Sequence, residues 1–424
     1  MKAISIDETK PASRQTHRRW LDNMAKDLIF DLFKQLTVGR LTISEGNETY
    51  TFGQDAQLAE VNAHIVVHQP WAYRQVLFNG SIGSGEAYMQ RGWSSPDLLQ
   101  VIRIFVRNQK TLVKMDNRVT KLKGIFCWAF HKMNSNTVSG SQNNIAAHYD
   151  LSNEFFGLFL DPWRMYSAAV FDTPGCTLEQ ASVKKLDQVC RALKLSESDH
   201  LLEIGTGWGG LAIYAAKRFG CRVTTTTISQ QQYEYAKDWV AKEGLNEKIT
   251  LLKQDYRLLE GEFDKLVSIE MIEAVGHEYY ATFFNKCSDL LKPDGLMLLQ
   301  SITIADQNYY QAKKSVDFIQ RYIFPGGALP SVEVLAKNVR KHTDMQIVSL
   351  TDITEDYAKT LAIWRERFWA NIDRVRSMGF DGVFERMWEF YLAYCEGGFK
   401  ERAIGTVQVL VAKPDARNLP HFIG

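Results

Sequence analysis

A glycine-rich segment near the middle of the chain has the residue types of a site for a nucleotide-like cofactor. Residues 201–204 are apolar except for Glu203, and four glycines follow before the helical sequence of residues 211–217. Those glycines are Gly205, Gly207, Gly209 and Gly210. Glycine lets the backbone approach a ligand closely, and the start of a helix offers free N–H groups. The pattern predicts a strand, a ligand-binding turn and a helix.

Two classes of cofactor compete for this turn. A dinucleotide site needs an acid at the end of the second strand to hold the ribose hydroxyls, but residues 224–229 read TTTTIS. Glu203 would be unfavourable beside a pyrophosphate, whereas its carboxylate can complement a cationic ligand. Asp255, after a third apolar run, could accept a hydrogen bond from an adenine amino group. With LLKPDG at 290–295, this order resembles the class I S-adenosylmethionine methyltransferases and favours that cofactor over a nicotinamide dinucleotide.

Alternating helical and strand patterns surround the turn. Helices are predicted over 178–194, 209–219 and 229–243, and strands over 200–204, 221–227, 249–252, 263–269 and 295–302. Such βαβ alternation predicts a parallel sheet with helices on both faces. Residues 407–412 are expected to close it as an antiparallel edge. The fold class is therefore α/β, and the resemblance implies a Rossmann-like, mostly parallel, seven-stranded sheet.

A smaller α+β domain is expected before this one. Its predicted elements are an amphipathic helix from Trp20, a hairpin over 40–52 that turns at Gly46-Asn47, strands at 61–67 and 73–78, and a glycine-rich turn at 79–85 that opens a helix. The expected organisation is a mobile N-terminus (1–17), an accessory or lipid-binding domain (18–133), a polar linker (134–144) and a catalytic domain (145–424).

Composition excludes several classes of protein. The 424 residues carry 50 Lys and Arg against 49 Asp and Glu, so no general basic field favours nucleic acid. The cysteines are scattered without zinc-site spacing, and we expect no metal. The sequence has no secretory signal and no apolar stretch of 18 residues, which indicates a cytoplasmic protein.

Longer strings identify a family. They are HYDLSNEFF at 148–156, YSAAVF at 166–171, QDYR at 254–257, IEAVG at 272–276 and YIFPGG at 322–327. In this order they resemble the cyclopropane-fatty-acyl-phospholipid synthases and the related mycolic acid methyltransferases, over about residues 148–412. GSIGSGEAYM at 80–89 is similar to the N-terminal domain of the phospholipid-acting members.

The resemblance implies a lipid-biosynthesis enzyme. It would transfer a methyl group from S-adenosylmethionine to the cis double bond of an unsaturated acyl chain in a membrane phospholipid. Loss of a proton to a bound bicarbonate ion would then close a cyclopropane ring. A dry aromatic pocket would shield the cation, and its expected lining residues are Tyr166, Tyr256, Phe324 and Trp364.

Site residues follow from the matched positions. The resemblance assigns cofactor contacts to Tyr166, Ser167, Gly205, Gly207, Thr227 and Gln232, to which the class I pattern adds Glu203, Gly209 and Asp255. It assigns bicarbonate to Ala168, Glu273, Gln300, Ile302 and Tyr357. Glu273 would accept a hydrogen bond from the ion and Tyr357 would donate one.

Two positions depart from the family. Ala168 stands where the family usually has Cys, and Gln300 where it has His. Unlike histidine, glutamine cannot carry a proton near neutral pH. Three outcomes stay open: ring formation with bicarbonate, an altered base step that gives a methyl-branched chain or a furan fatty acid precursor, and an inactive lipid-binding protein.

A phospholipid substrate implies reversible contact with the inner face of the membrane. The candidate contact segments are the 20–36 helix face, the basic and aromatic stretch 118–133, and the loop 324–327. Larger family members are often dimers, which makes a homodimer a further expectation.

Overall fold

The chain forms two compact units in a computed structural model that describes residues 12–112, 151–417 and 419–420. The first unit contains the described part of residues 1–140 together with Phe380–Gly397, and the second contains the described part of 141–379 and Gly398–Gly424. The polar N-terminus as far as residue 11, the basic and aromatic stretch 118–133 and the linker 134–144 lie outside the described residues.

The first unit is α+β. Its elements before residue 112 are α1 (Ala12–Phe33), β1 (Arg40–Glu45), β2 (Glu48–Gly53), β3 (Asn62–Val67), α2 (Trp71–Met89), β4 (Trp93–Ser94) and α3 (Leu98–Arg107). The strands form a sheet in the order β2-β1-β3-β4. The hairpin predicted over 40–52 is confirmed, since β1 and β2 pair antiparallel around Gly46 at φ +58°.

The strand predicted over 73–78 and the turn predicted over 79–85 are both wrong. These residues lie in α2, which bends at Gly80, where φ is +54° and ψ is −129°. Helix α2 buries Tyr73 and Leu77 on one side. A short apolar run does not distinguish a strand from a buried helical turn.

A C-terminal segment also belongs to the first unit, although the expected domain boundary assigned it to the catalytic domain. Helix α14 (Gly382–Lys400) contributes its residues up to Gly397. The Arg386 guanidinium donates to the carbonyl oxygens of Tyr88 (2.6 Å) and Trp93 (3.0 Å). These long-range contacts attach the segment to the N-terminal residues, and no local sequence pattern reports them.

The second unit is built on a seven-stranded sheet. Its strands are β5 (His200–Ile204), β6 (Arg222–Thr227), β7 (Ile249–Lys253), β8 (Phe263–Ile269), β9 (Leu291–Ile304), β10 (Gln346–Asp352) and β11 (Ile404–Ala412). Their order is β10-β11-β9-β8-β5-β6-β7. The pairs among β5 to β9 are parallel, and β11 runs antiparallel to both of its neighbours.

Helices accompany the sheet along the chain. They are α4 (Asn153–Gly157), α5 (Leu178–Ala192), α6 (Gly210–Phe219), α7 (Gln230–Lys242), α8 (Tyr280–Asp289), α9 (Asp306–Ala312), α10 (Phe318–Tyr322), α11 (Val332–His342), α12 (Thr354–Ala370) and α13 (Ile372–Ser377). One apolar cluster joins the sheet to α5 and α6, through Leu186 and Ile213. A second joins it to α8 and α11, through Phe283 and Leu335. The expected α/β sheet is therefore confirmed.

The edge of the sheet differs from the prediction. Residues 407–412 belong to β11, which lies second from the edge, and β10 covers it. Strand β10 is mostly exposed, with Ile347 and Leu350 both 43% accessible, so its sequence lacks the apolar run of a buried strand. Strand order reverses beside β5, with β6 on one side and β8 on the other. In open α/β sheets the crevice at the carboxyl ends of such strands is the usual ligand site.

The helices within the described ranges include none with a stretch long and apolar enough to cross a bilayer.

Candidate functional site

The glycine turn follows β5 at this edge of the sheet. Gly205 and Gly207 have φ values of +104° and +54°, which side chains other than glycine rarely adopt. The N–H groups of Gly205 and Thr206 donate to the Thr226 carbonyl oxygen at 3.1 and 3.0 Å. No atom lies within 4 Å of the point that a Cβ would occupy at Gly207. The turn is therefore anchored to β6 on one side and open on the other.

Glu203 lies directly before this turn. Its side chain is 3% exposed, and the Thr225 hydroxyl donates to Oε2 at 2.6 Å. The hydroxyls of Thr206 and Thr225 lie 2.7 Å apart, which links the carboxylate to the turn. Burial raises the pKa of Glu203 to about 8, because a buried carboxylate loses its hydration, and the Thr225 hydrogen bond and the charge of Lys185 offset only part of this effect.

The next two strands end in the other residues expected at the cofactor. At the end of β6, the Thr227 hydroxyl donates to Gln232 Oε1 at 3.0 Å. After β7, Asp255 accepts two hydrogen bonds from the Arg257 guanidinium, at 2.9 and 2.7 Å. The pKa of Asp255 is lowered, mainly by the Arg257 hydrogen bond. Both residues lie at the carboxyl edge with the glycine turn, although Arg257 already pairs with the Asp255 carboxylate.

A carboxylate that the sequence patterns did not single out lies at the end of β8. Glu270 follows Ile269 with φ at +48°. Its Oε1 accepts hydrogen bonds from the Ala168 backbone N–H at 3.0 Å and from Gln300 Nε2 at 2.8 Å. Its Oε2 accepts from the Tyr357 hydroxyl at 2.7 Å. Three groups that the resemblance assigned to bicarbonate therefore bind the carboxylate of Glu270.

The amide of Gln300 is held in one orientation. Its Oε1 accepts a hydrogen bond from Gln408 Nε2 at 2.9 Å, and Gln408 Oε1 in turn accepts from Gln188 Nε2 at 3.1 Å. Gln300 is 0% exposed. Because its oxygen is engaged by β11, its N–H₂ group is directed to Glu270.

Glu273 forms a separate set of contacts. Its Oε1 accepts from the Ser301 hydroxyl at 3.0 Å and from the Ile302 N–H at 2.5 Å. Its Oε2 is buried and has no hydrogen-bond partner. Burial and then the neighbouring charge of Glu270 raise the pKa of Glu273 to about 8. One of the two glutamates is therefore readily protonated near neutral pH.

Four of the five positions assigned to bicarbonate already bind a side-chain carboxylate. Ala168, Gln300 and Tyr357 bind Glu270, and Ile302 binds Glu273. An additional anion would compete with an internal carboxylate for the same donors. The donors of Ala168, Gln300 and Tyr357 are therefore directed to the Glu270 carboxylate.

Aromatic residues lie beside this carboxylate cluster. The Tyr166 ring centroid is 5.3 Å from that of Trp364 and 6.3 Å from that of Phe324. Trp364 is fully buried, and its indole N–H has no hydrogen-bond partner. Tyr256, also expected in the lining, instead packs against Phe283 at 5.5 Å. Three of the four expected aromatic residues therefore lie in one cluster.

Two charged residues were missed at the level of sequence. Glu270 had a usable signal, because it directly follows a predicted buried strand, where ligand-binding acids commonly lie. Lys185 had a weaker one, as a lysine inside a helix. It is 0% exposed, and its Nζ donates to the Ser167 hydroxyl at 2.7 Å. Ser167, expected at the cofactor, is thus also bound to Lys185.

Comparisons with known proteins match this architecture. The family model for mycolic acid cyclopropane synthetase matches residues 137–409. The tuberculostearic acid methyltransferase UfaA1 of Mycobacterium tuberculosis is 37% identical over 355 residues, which cover 81% of this chain and 82% of that protein. The cyclopropane-fatty-acyl-phospholipid synthase of Escherichia coli K12 is 35% identical over 357 residues, 83% of this chain and 88% of that protein.

A solved structure of a related enzyme has the same fold. The mycolic acid cyclopropane synthase CmaA1, crystallised with SAH and CTAB, aligns with a TM-score of 0.59 and 31% identity, over 64% of this chain and 98% of that one. With the mostly parallel seven-stranded sheet, these matches establish the class I methyltransferase fold. The chain therefore belongs to the family of the mycolic acid cyclopropane synthetases and cyclopropane-fatty-acyl-phospholipid synthases, and it is an S-adenosylmethionine-dependent methyltransferase.

Proposed function

We propose that this enzyme methylates a carbon of the cis double bond in an unsaturated phospholipid acyl chain, and that Glu270 accepts the proton released. The observation that carries this proposal is the convergence of Ala168, Gln300 and Tyr357 on the Glu270 carboxylate. S-adenosylmethionine supplies an electrophilic methyl group when bound. The names of the family and of its relatives support lipid chains as the substrate class.

The cofactor site we propose lies on the open side of the glycine turn. Gly205, Gly207 and Gly209 let the backbone approach the ligand, and Thr227 and Gln232 would bind it beyond β6. Tyr166, Ser167 and Asp255 are further contacts. Glu203 would complement the cationic end of the ligand, which is consistent with a buried carboxylate that has no cation within hydrogen-bond distance. The SAH bound in the CmaA1 structure supports this ligand class.

The chain's own residues would then handle the cation and the proton. The alkene π pair forms the new C–C bond as the bond from the methyl carbon to sulfur breaks, leaving a neutral thioether and a cation on the acyl chain. The cluster of Tyr166, Phe324 and Trp364 excludes water and stabilises positive charge by its ring faces. Glu270 takes one proton, which restores a neutral lipid chain.

The product we favour is a chain with a methyl or methylene branch that keeps one double bond. A hydride shift on the acyl chain followed by proton loss to Glu270 gives it without any reductant. Two observations support this outcome over a ring: the bicarbonate positions are engaged internally, and UfaA1 is named a methyltransferase. Ring closure is the second candidate, supported by the family model and the Escherichia coli relative.

Access to a phospholipid requires contact with the membrane surface, which we propose to be peripheral and on the inner face. Phe324 packs near Tyr166, and the next two residues, Pro325 and Gly326, are exposed. This loop is therefore the contact we favour among the described residues, with the α1 face as a second. A homodimer would strengthen a weak contact by avidity.

Product analysis tests the proposal. The full chain is expressed in a bacterial host that lacks its own cyclopropane synthase, and the phospholipids are examined by mass spectrometry and ¹H NMR. Both candidate products are one CH₂ heavier than the substrate chain, so NMR distinguishes them. Vinylic or exomethylene signals support the branched product, and cyclopropane signals support the ring. Unchanged lipids with soluble, cofactor-binding protein would favour the inactive lipid-binding alternative and overturn the proposal.

A further inference from the structure

Lys185 is a buried cation in the second unit with no role in the chemistry described so far. It lies on α5 and, among the described lysines and arginines, it alone is buried. Its Nζ donates to the Ser167 hydroxyl at 2.7 Å, and its charge interacts with Glu270, Asp161 and Glu203. A buried ammonium loses its hydration and is retained at a cost in stability. A role at the site would explain why the fold retains it.

Two hydrogen bonds, joined by the backbone of Ser167 and Ala168, connect this ammonium to the proposed base. Ser167 accepts the Lys185 hydrogen bond, and the next residue, Ala168, donates its backbone N–H to Glu270 Oε1 at 3.0 Å. Lys185 therefore fixes the segment that orients one of the three donors to Glu270. The neighbouring Ala169 N–H donates to Thr360 on α12 at 3.1 Å, which holds the same segment from the other side.

We propose that Lys185 is a positioning residue that keeps the Glu270 carboxylate ionised and aligned for proton acceptance. This inference rests on the proposed role of Glu270. The titratable groups that face Glu270 are Tyr357 on α12, Glu273 beyond β8 and Lys185 on α5. Of these three groups, Lys185 alone supplies positive charge, so it favours the ionised form of Glu270.

The direction of the charge effect follows from these neighbours. Burial raises the pKa of Glu270, and the charge of Lys185 acts in the opposite direction. Burial also lowers the pKa of Lys185, to about 8. Loss of the ammonium removes an opposite charge that favours the ionised form, which raises the pKa of the Glu270 carboxyl. The carboxylate would then form only at higher pH, and the acid limb of the activity profile would move with it.

The test compares Lys185→Met with Lys184→Met. Lys184 is the adjacent, exposed lysine, which pairs with Asp172 on the surface. The rate constant kcat is measured from pH 5.5 to 9 with saturating S-adenosylmethionine and vesicles of an unsaturated phosphatidylethanolamine. We expect the acid limb of Lys185→Met to move up by about one pH unit, which is about a tenfold lower kcat on that limb. Lys184→Met keeps the wild-type profile.

An unshifted profile in folded Lys185→Met overturns the inference. If that variant does not fold, Ser167→Ala serves, because it keeps the buried charge and removes the hydrogen bond. We expect Ser167→Ala to lower kcat at saturating cofactor without moving the acid limb of the pH profile. An unchanged kcat overturns the inference. Glu270→Gln separates the two proposals. Wild-type turnover in Glu270→Gln defeats the proposed function, whereas an inactive Glu270→Gln with an unshifted Lys185→Met defeats only the role of Lys185.

Discussion

Glu270 and Gln300 are joined twice across the β8–β9 pair. The Glu270 backbone N–H donates to the Gln300 carbonyl oxygen at 2.8 Å, and the Gln300 side-chain amide donates to Glu270 Oε1 at 2.8 Å. The first bond holds the backbone at its positive φ, and the second holds the carboxylate. Gln300, a position that departs from the family, therefore orients the Glu270 carboxylate. Its neutral amide donates a hydrogen bond there, whereas a histidine could exchange a proton.

Glu270→Gln should remove most of the activity. The amide keeps the shape of the side chain but is not a base, and loss of a positioned base typically lowers kcat by 10² to 10⁴-fold. The affinity for S-adenosylmethionine, measured by calorimetry, should stay within about threefold of the wild-type value. Glu270 is bound by Ala168, Gln300 and Tyr357 and is not among the proposed cofactor contacts. The matched control is Glu260→Gln, an exposed acid beyond β7. Turnover near the wild-type rate in Glu270→Gln would remove this residue from the mechanism.

Glu203→Gln should stabilise the free enzyme while weakening its cofactor binding. The pKa of Glu203 is about 8 in the folded protein and about 4.5 when unfolded. The folded state therefore binds more protons between these values, and its stability falls as the pH rises through this window. The glutamine variant has no such titration. At pH 8 its free energy of unfolding should be about 1–3 kcal/mol higher than that of the wild type.

The same substitution removes the charge that we propose complements the cationic ligand. The rise in Tm on adding S-adenosylmethionine should shrink in Glu203→Gln, corresponding to an affinity about tenfold lower. Thermal melts at pH 6 and pH 8, with and without ligand, measure both effects, and Glu197→Gln is the exposed control. A variant that is less stable at pH 8 and binds the ligand normally would contradict this account of Glu203.

Trp364 should stabilise the fold through the packing of its ring and not through its indole nitrogen. It is fully buried against Tyr166 and Phe159, with centroid distances of 5.3 and 6.2 Å, and its N–H has no partner. Trp364→Ala should lower the free energy of unfolding by about 3–5 kcal/mol, by analogy with large-to-small core substitutions. Trp364→Phe should cost less than about 2 kcal/mol, because it also removes an unsatisfied buried donor. Urea denaturation distinguishes these values, and equal losses in the two variants would indicate a hydrogen bond at the indole.

The glycine turn and the parallel strands could be predicted because their signals are local. Residues 201–204, apolar except for Glu203, lead directly into glycines, and the structure has a strand there that is followed by a turn and a helix. Glu270 could not be assigned in this way. Its partners come from three distant points in the chain, at 168, 300 and 357, and its positive φ depends on the β8–β9 pairing.

The misassigned segments have the same physical cause. Whether residues 73–78 form a strand or a helix depends on what covers Tyr73 and Leu77, and a short apolar run does not contain that information. The attachment of Phe380–Gly397 to the first unit depends on contacts with residues some 300 positions earlier. Local periodicity determines the type of a long element far better than its partners.

The dependence of turnover on bicarbonate tests the central claim most directly. Methyl transfer to vesicles of unsaturated phospholipid is measured in buffer freed of CO₂ and again after addition of bicarbonate, for the wild type and for Glu270→Ala. If Glu270 is the resident base, the wild-type rate is the same in both buffers. Glu270→Ala is then nearly inactive without the ion and regains about tenfold activity with it, because Ala168, Gln300 and Tyr357 are free to bind it. A wild-type enzyme that loses its activity when bicarbonate is removed would contradict the account.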